Sequence, residues 1–182
     1  MKWLYRLRNL PAIIRGWLVL AGATIGSMLG SVSAYATLSG ILIMADGRRV
    51  DLGVLGRRVV TDAGVAFMAT GFKDGSKNIA NFKFHASGTG TTAEAAGDTA
   101  LVTEVTDNAR AAGTNTNPVA NEYQTVNTIS YTASHAITEH GIFDQITAAG
   151  STLWDRTVFA AVNVASGDSI QFTYTLTINS GG

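Results

Sequence analysis

Ten residues near the C-terminus constrain this chain most. Ile170, Phe172, Tyr174, Leu176 and Ile178 alternate strictly with Ser169, Gln171, Thr173, Thr175 and Thr177. Successive side chains of a strand point to opposite faces, so a period of two specifies a strand with one buried face and one hydroxyl-lined face. Ala165-Ser-Gly-Asp168 supplies a turn just before it. That arrangement predicts an antiparallel hairpin between residues 157–164 and 169–178, with Phe172, Tyr174 and Leu176 in the core.

The same signal recurs upstream. Strands are expected at Ile79–His85 (Phe82 and Phe84 on one face), Thr125–Thr132 (Ile129 and Tyr131 together), Ala136–Phe143 and Thr152–Val164. Asp46-Gly47 lies between Ile41–Met44 and Val50–Val54, the usual chemistry of a tight hairpin turn. One helix should start at Thr61-Asp62, present Val65, Met68, Ala69 and Phe72 along one face, and stop at Asp74-Gly75. A second, short helix is expected from Asp98 through Leu101 to Glu104. Strands in series without long helices between them predict a mainly β fold, a single antiparallel sandwich of jelly-roll-like or immunoglobulin-like type with one or two short helices. Twenty Gly and 22 Thr against two Pro suit that reading, and 14% charged residues is too few for a disordered chain. The absence of cysteine removes disulfides, thiol catalysis and thiolate metal sites.

The first 45 residues are of another kind and read as an N-terminal apolar arm, with the sandwich following over 46–182. Met1–Arg15 is basic and aromatic, and Gly16–Ala36 carries no charge. Gly22, Gly26 and Gly30 recur every four residues, a spacing that lets two helices approach closely in an apolar segment. A secretory signal ending near Val32–Ala36 and a membrane helix over residues 13–34 are the other readings. The Gly, Ser and Thr content makes the stretch only weakly hydrophobic, so an assembly arm formed by Trp3, Arg6, Arg8, Arg15, Trp17 and the three glycines is the preferred one.

The zero net charge hides an asymmetry. Residues 1–60 hold eight basic and two acidic side chains, and the remainder holds five and eleven. A basic end of this kind suits an acidic partner surface, whether lipid, nucleic acid or another copy's acidic end. Arg48, Arg49, Arg57 and Arg58 fall in a near-repeat, Asp46-Gly-Arg-Arg-Val50 and Leu55-Gly-Arg-Arg-Val59, and form a possible basic contact or a solvated hairpin face.

No catalytic constellation emerges. His135 and His140 flank Glu139, but five-residue spacing fits neither helical zinc motif, and on a strand it sends the rings to opposite faces. Ser87-Gly88-Thr-Gly90-Thr-Thr-Ala93 loosely matches a dinucleotide loop but lacks the βαβ setting, so a glycine turn is expected. There is no G-x-S-x-G elbow, and Asp144 and Asp155 read as ordinary carboxylates. Trp154-Asp155-Arg156 reads as structure, a charged pair tying a strand end beside a buried aromatic. The residues therefore predict no enzyme, no cofactor and no metal.

Several blocks together carry a family likeness. These are Phe82-Lys-Phe-His85 leading into Gly88-Thr-Gly-Thr-Thr-Ala-Glu94, Asp98-Thr-Ala-Leu-Val-Thr-Glu104, Ile137-Thr-Glu-His-Gly-Ile-Phe143, Leu153-Trp-Asp-Arg-Thr-Val-Phe159 and Ser166-Gly-Asp-Ser-Ile-Gln-Phe-Thr-Tyr174. From about Val60 to Ile178 the chain resembles small virion structural proteins of tailed bacteriophages. The resemblance implies capsid decoration or a head–tail or tail component, located in the virion. The implied partners are copies of itself, as a homo-oligomer, and other virion proteins, with no specific nucleic acid. It brings no catalytic residues and leaves residues 1–45 uncovered. The alternative expectation is a membrane-anchored or exported surface protein.

Overall fold

The computed structural model describes residues 32–180 apart from Arg58, Ser76 and Asn108. The arm residues Trp3, Arg6, Arg8, Arg15, Trp17, Gly22, Gly26 and Gly30 lie outside the described residues, as does Arg58. One compact unit takes in Tyr35–Thr177 and holds every site described below. Of a second unit, only Val32–Ala34 and Ile178–Ser180 are among the described residues.

The chain is a β-sandwich. One sheet is ordered β2-β1-β10-β7-β6, from Arg49–Arg57 (β2), Ser33–Ile43 (β1), Ser169–Asn179 (β10), Glu122–Ser130 (β7) and Thr114–Thr116 (β6). The other is ordered β3-β9-β8-β4-β5, from Val59–Val60 (β3), Leu153–Val164 (β9), His135–Phe143 (β8), Phe84–Gly88 (β4) and Ala111–Ala112 (β5). The chain passes between sheets four times, between edge strands from β2 to β3 and from β5 to β6, and between interior strands from β7 to β8 and from β9 to β10. β1 is an interior strand of its sheet, so the sandwich takes in the end of the stretch expected to be arm.

The β1–β2 hairpin forms around Asp46-Gly47 as expected, with Ile43 opposite Arg49, and its strands run further than the sequence suggested. β10 alternates as expected: Ile170, Phe172, Tyr174 and Leu176 are buried, and Gln171, Thr173 and Thr175 are half-exposed. Its partner differs from expectation. β10 lies between β1 and β7, pairing Phe172 with Asn127 and Tyr174 with Thr125, while β9 belongs to the opposite sheet. Ala165–Asp168 is thus an arch between sheets. A four-residue turn serves a hairpin or an arch equally well. Here Asp168 fixes it, accepting from the Ala165 and Ala45 N–H groups at 2.8 Å each, while the Gly167 N–H donates to the Tyr131 carbonyl at 2.9 Å. As an arch, both strands turn their apolar faces toward each other across one core.

The helix α1 (Asp62–Lys73) begins where expected, with the Thr61 hydroxyl capping the Gly64 N–H at 3.0 Å. Its orientation corrects the sequence reading. Gly64 and Phe67 face the body, while Val65, Ala69 and Phe72 are exposed. Gly64 decides this, because a Cβ there would sit 2.8 Å from the Trp154 carbonyl oxygen and 2.9 Å from its ring. Without one, the helix backbone lies directly on Trp154, and Phe67 meets Phe82 edge-on at 4.6 Å. Counting apolar residues favours the larger side chains and misses contact made by a glycine.

Two other expectations fail. Ile79–Asn81 is a single 3-10 turn, and the strand starts only at Phe84. Residues 98–104 form no helix: Asp98 and Glu104 are both drawn to arginines, and Glu104 bridges Gly88.

Candidate functional site

Strand β8 is buried on both faces from Ile137 to Phe143, which is unusual for one face of a sandwich. One face meets the core. The other is covered by the 89–104 connection, and beneath it lies the best-organised polar cluster of the described residues. Glu139 is fully buried, and its carboxylate accepts from Gly90 N–H at 3.0 Å, Thr103 N–H at 2.8 Å and Val102 N–H at 3.1 Å. On β9 the buried Arg156 completes the shell, donating from Nε to Glu139 at 2.8 Å. Its other two nitrogens reach Asp98 and the Thr92 carbonyl, each at 2.9 Å. Burial opposes the charge on Arg156, and the hydrogen bonds to Asp98 and Glu139 outweigh it, holding the guanidinium above its ordinary value.

This cluster explains the glycine-rich motif. A Cβ on either Gly88 or Gly90 would stand 2.5 Å from Glu139 Oε1. The loop does cradle an anion with backbone N–H groups, as glycine-rich loops do. The anion is the protein's own carboxylate. Glu139 and Arg156 thus clasp the long 89–104 connection onto the sheet, where the sequence suggested that Arg156 tied a strand end.

The two histidines have separate partners, and β8 does not alternate evenly between them, since a register shift falls between Ile137 and Glu139. His135 lies at the start of β8, where its Nε2 meets Asp107 Oδ2 at 2.9 Å. Asp107 also accepts from the Thr132 and Ala133 N–H groups at 3.1 Å, and the His135 hydrogen bond holds its carboxyl below the usual range. His140 faces the core, its ring centroid 4.4 Å from that of Phe172. Its Nε2 lies 3.0 Å from Nδ1 of His85, whose Nε2 lies 3.2 Å from the Thr125 hydroxyl in the opposite sheet. One ring N–H donates and the other ring nitrogen accepts, so the pair stitches β4, β8 and β7 together. The described residues contain no group of three or more His, Asp or Glu placed to hold a metal ion. Asp144 accepts from the Thr152 N–H at 2.7 Å, and Asp155 is buried on β9.

A cleft of about 230 Å³ opens where the sheets part between β4 and β7, lined by His85, Ser87, Glu104, Arg110, Thr128 and Ser130 among others. Ligand pockets usually run from roughly 300 Å³ upward. Its one cation is already held. Arg110 makes a two-pronged pair with Glu104 at 2.7 and 2.6 Å, donates to Ser151 at 2.9 Å and stacks 3.4 Å above the Phe143 ring. Here too the polar groups fasten a loop to the body.

The basic residues of the hairpin do not converge. Arg48 pairs with Asp46 at 2.7 Å on the exposed turn, and that hydrogen bond lowers the Asp46 carboxyl. Arg49 reaches Gln171 at 3.4 Å. Arg57 stands exposed at the other end of β2, roughly 26 Å from Arg49 at about 3.3 Å per residue. β2 itself is an edge strand of nine residues, with Val50 and Val54 exposed.

Sequence reasoning missed His85, the Glu139–Arg156 pair and the Arg110–Glu104 pair. The readable trace was Arg156, which with Asp155 interrupts the apolar residues of Leu153–Phe159, where a charge needs a buried partner. No helix among the described residues is long and apolar enough to cross a membrane. No protein-family model matches the chain, and no curated protein and no solved structure is significantly similar to it.

Proposed function

We propose that this chain is a structural component of a bacteriophage particle, a capsid decoration protein or a head–tail or tail component, acting by self-assembly and by binding neighbouring virion proteins. In this reading it is not an enzyme. The observation that carries the reading is how the buried polar side chains are used. Glu139, Arg156, Asp98, Arg110, Glu104 and the His85–His140 pair each fasten a loop or a strand, which suits a rigid building block. What faces outward is the material of contacts: the edge of β2, unpaired among the described residues, with Val50 and Val54, a hydroxyl-lined sheet face, and apolar side chains on α1. An exposed edge strand of this length is a ready template for pairing with another chain. The resemblance of the sequence blocks to tailed-phage virion proteins supports the kind of particle proposed.

The test is the protein content of purified phage particles, measured by quantitative mass spectrometry against the capsid protein. A fixed stoichiometric ratio is expected. Recovery in cell membranes, with none in particles, overturns the proposal.

A further inference from the structure

The outward face of α1 is apolar where a surface helix is ordinarily polar. Phe72 is 88% exposed and Val65 49%, and Ile79, in the adjoining 3-10 turn, is 50% exposed. A phenylalanine side chain carries on the order of 150 Å² or more of surface, so Phe72 alone presents a substantial unburied area. Asp62, Val65, Ala66, Ala69, Phe72 and Lys73 are all exposed, and at 3.6 residues per turn they share one side of the helix. Gly64 and Phe67 occupy the opposite side, against the body.

We propose that this face is the contact between two copies of the chain, with α1 packed antiparallel on α1 of the partner about a two-fold axis. The charges commit the face to a second copy. Asp62 in the first turn and Lys73 in the last are opposite in sign and eleven residues apart, close to three full turns, so both lie on the apolar stripe. An antiparallel pair centred on the helix sets Asp62 against the partner subunit's Lys73, and Lys73 against the partner subunit's Asp62. The same centring places Ala66 against the partner subunit's Ala69, leaving room for close approach at the axis while Val65 and Phe72 flank it. A two-fold contact uses one patch twice and must complement itself, as this stripe does. The helix is about 18 Å long, and a single pair of that length falls below the roughly 1,200 Å² of a stable interface. The pairing is therefore concentration-dependent in solution and strengthened where many copies are held together.

The inference deepens the assembly reading, resting on it for the premise that copies of this chain meet. The chain has no cysteine, which permits a clean cross-linking test on the full-length protein. Ala69→Cys should give a disulfide-linked dimer on oxidation, rising with concentration, while Ser166→Cys on the exposed arch should not. Phe72→Asp should weaken self-association about tenfold or more by sedimentation equilibrium. Asp62→Lys should also weaken it, and Asp62→Lys/Lys73→Asp should restore it. All these positions are exposed, so far-ultraviolet circular dichroism should match the parent and exclude misfolding, with melting lowered by only a few degrees where the charge changes oppose the helix dipole. Equal cross-linking at both cysteines, no self-association at any concentration, or no rescue by the charge swap overturns the helix contact. An Ala69→Cys dimer from a chain absent from particles overturns the assembly reading and leaves the helix contact standing. A chain present in particles whose Ala69→Cys form does not cross-link there overturns the helix contact alone.

Discussion

Replacing Arg156 with methionine tests the idea that the buried polar cluster on β8 and β9 holds the 89–104 connection. Methionine keeps the apolar length of the side chain and removes three hydrogen bonds, to Glu139, Asp98 and the Thr92 carbonyl. Glu139 is fully buried and keeps its three backbone donors but loses the guanidinium beside it. Deleting one partner of a buried ion pair costs about 3–5 kcal/mol, because the other charge stays behind in a poor solvent for it. The backbone donors offset part of this, so a loss of about 3 kcal/mol is expected. For a chain of this size that lowers the melting temperature by about 6–12 °C. Urea denaturation should show a lower midpoint with an unchanged slope. The informative comparison is Arg156→Met with Glu139→Gln. The double variant removes both charges of the Glu139–Arg156 contact, so it should be more stable than Arg156→Met alone, with a coupling of at least about 1 kcal/mol. A loss below about 1 kcal/mol for Arg156→Met, or strict additivity in the double variant, would refute the clasp. Limited proteolysis gives an independent readout, since the released loop should be cut between residues 89 and 104 before the sheets are.

Three further outcomes follow from the same geometry. Gly90→Ala should cost about 1–3 kcal/mol, since its Cβ would stand 2.5 Å from Glu139 Oε1 and 2.6 Å from Val102 Cβ, whereas Gly97→Ala, with nothing within 4 Å, should be near neutral; equal denaturation midpoints would contradict this. The His135 hydrogen bond depresses the Asp107 carboxyl, so its contribution is complete above the unfolded value near 4 and vanishes as pH falls through the lower folded value. Acid denaturation followed by fluorescence should therefore show a shallower loss of stability below about pH 4 in Asp107→Asn than in the parent, and superimposable acid limbs would count against the argument. Burial raises the Tyr123 phenol to about 12, so the neutral ring stabilises the fold fully below pH 10 or so, and that contribution is lost as pH rises toward the folded value; Tyr123→Phe should flatten the alkaline fall in stability, and an unchanged alkaline profile would refute it.

The alternation of Ile170, Phe172, Tyr174 and Leu176 with hydroxyl residues determined a strand, its buried face and the β class, because the period of side chains along a strand is a local property of the backbone. The Asp46-Gly47 hairpin and the Thr61 cap were local in the same sense and were legible for that reason. Which strand lay beside β10 was not local. The Ala165–Asp168 turn fits a hairpin or an arch, and only the presence of β1 and β7 on either side of β10 decided between them. The face of α1 was decided by a close approach to Trp154 that a glycine permits and a hydrophobicity pattern cannot register. The polar cluster was hidden for a related reason. Glu139, Arg156 and Asp98 stand far apart in sequence and are ordinary charges there. They become a clasp only when β8 and β9 pair and the 89–104 connection folds over them, because a buried charge must find its partners in space.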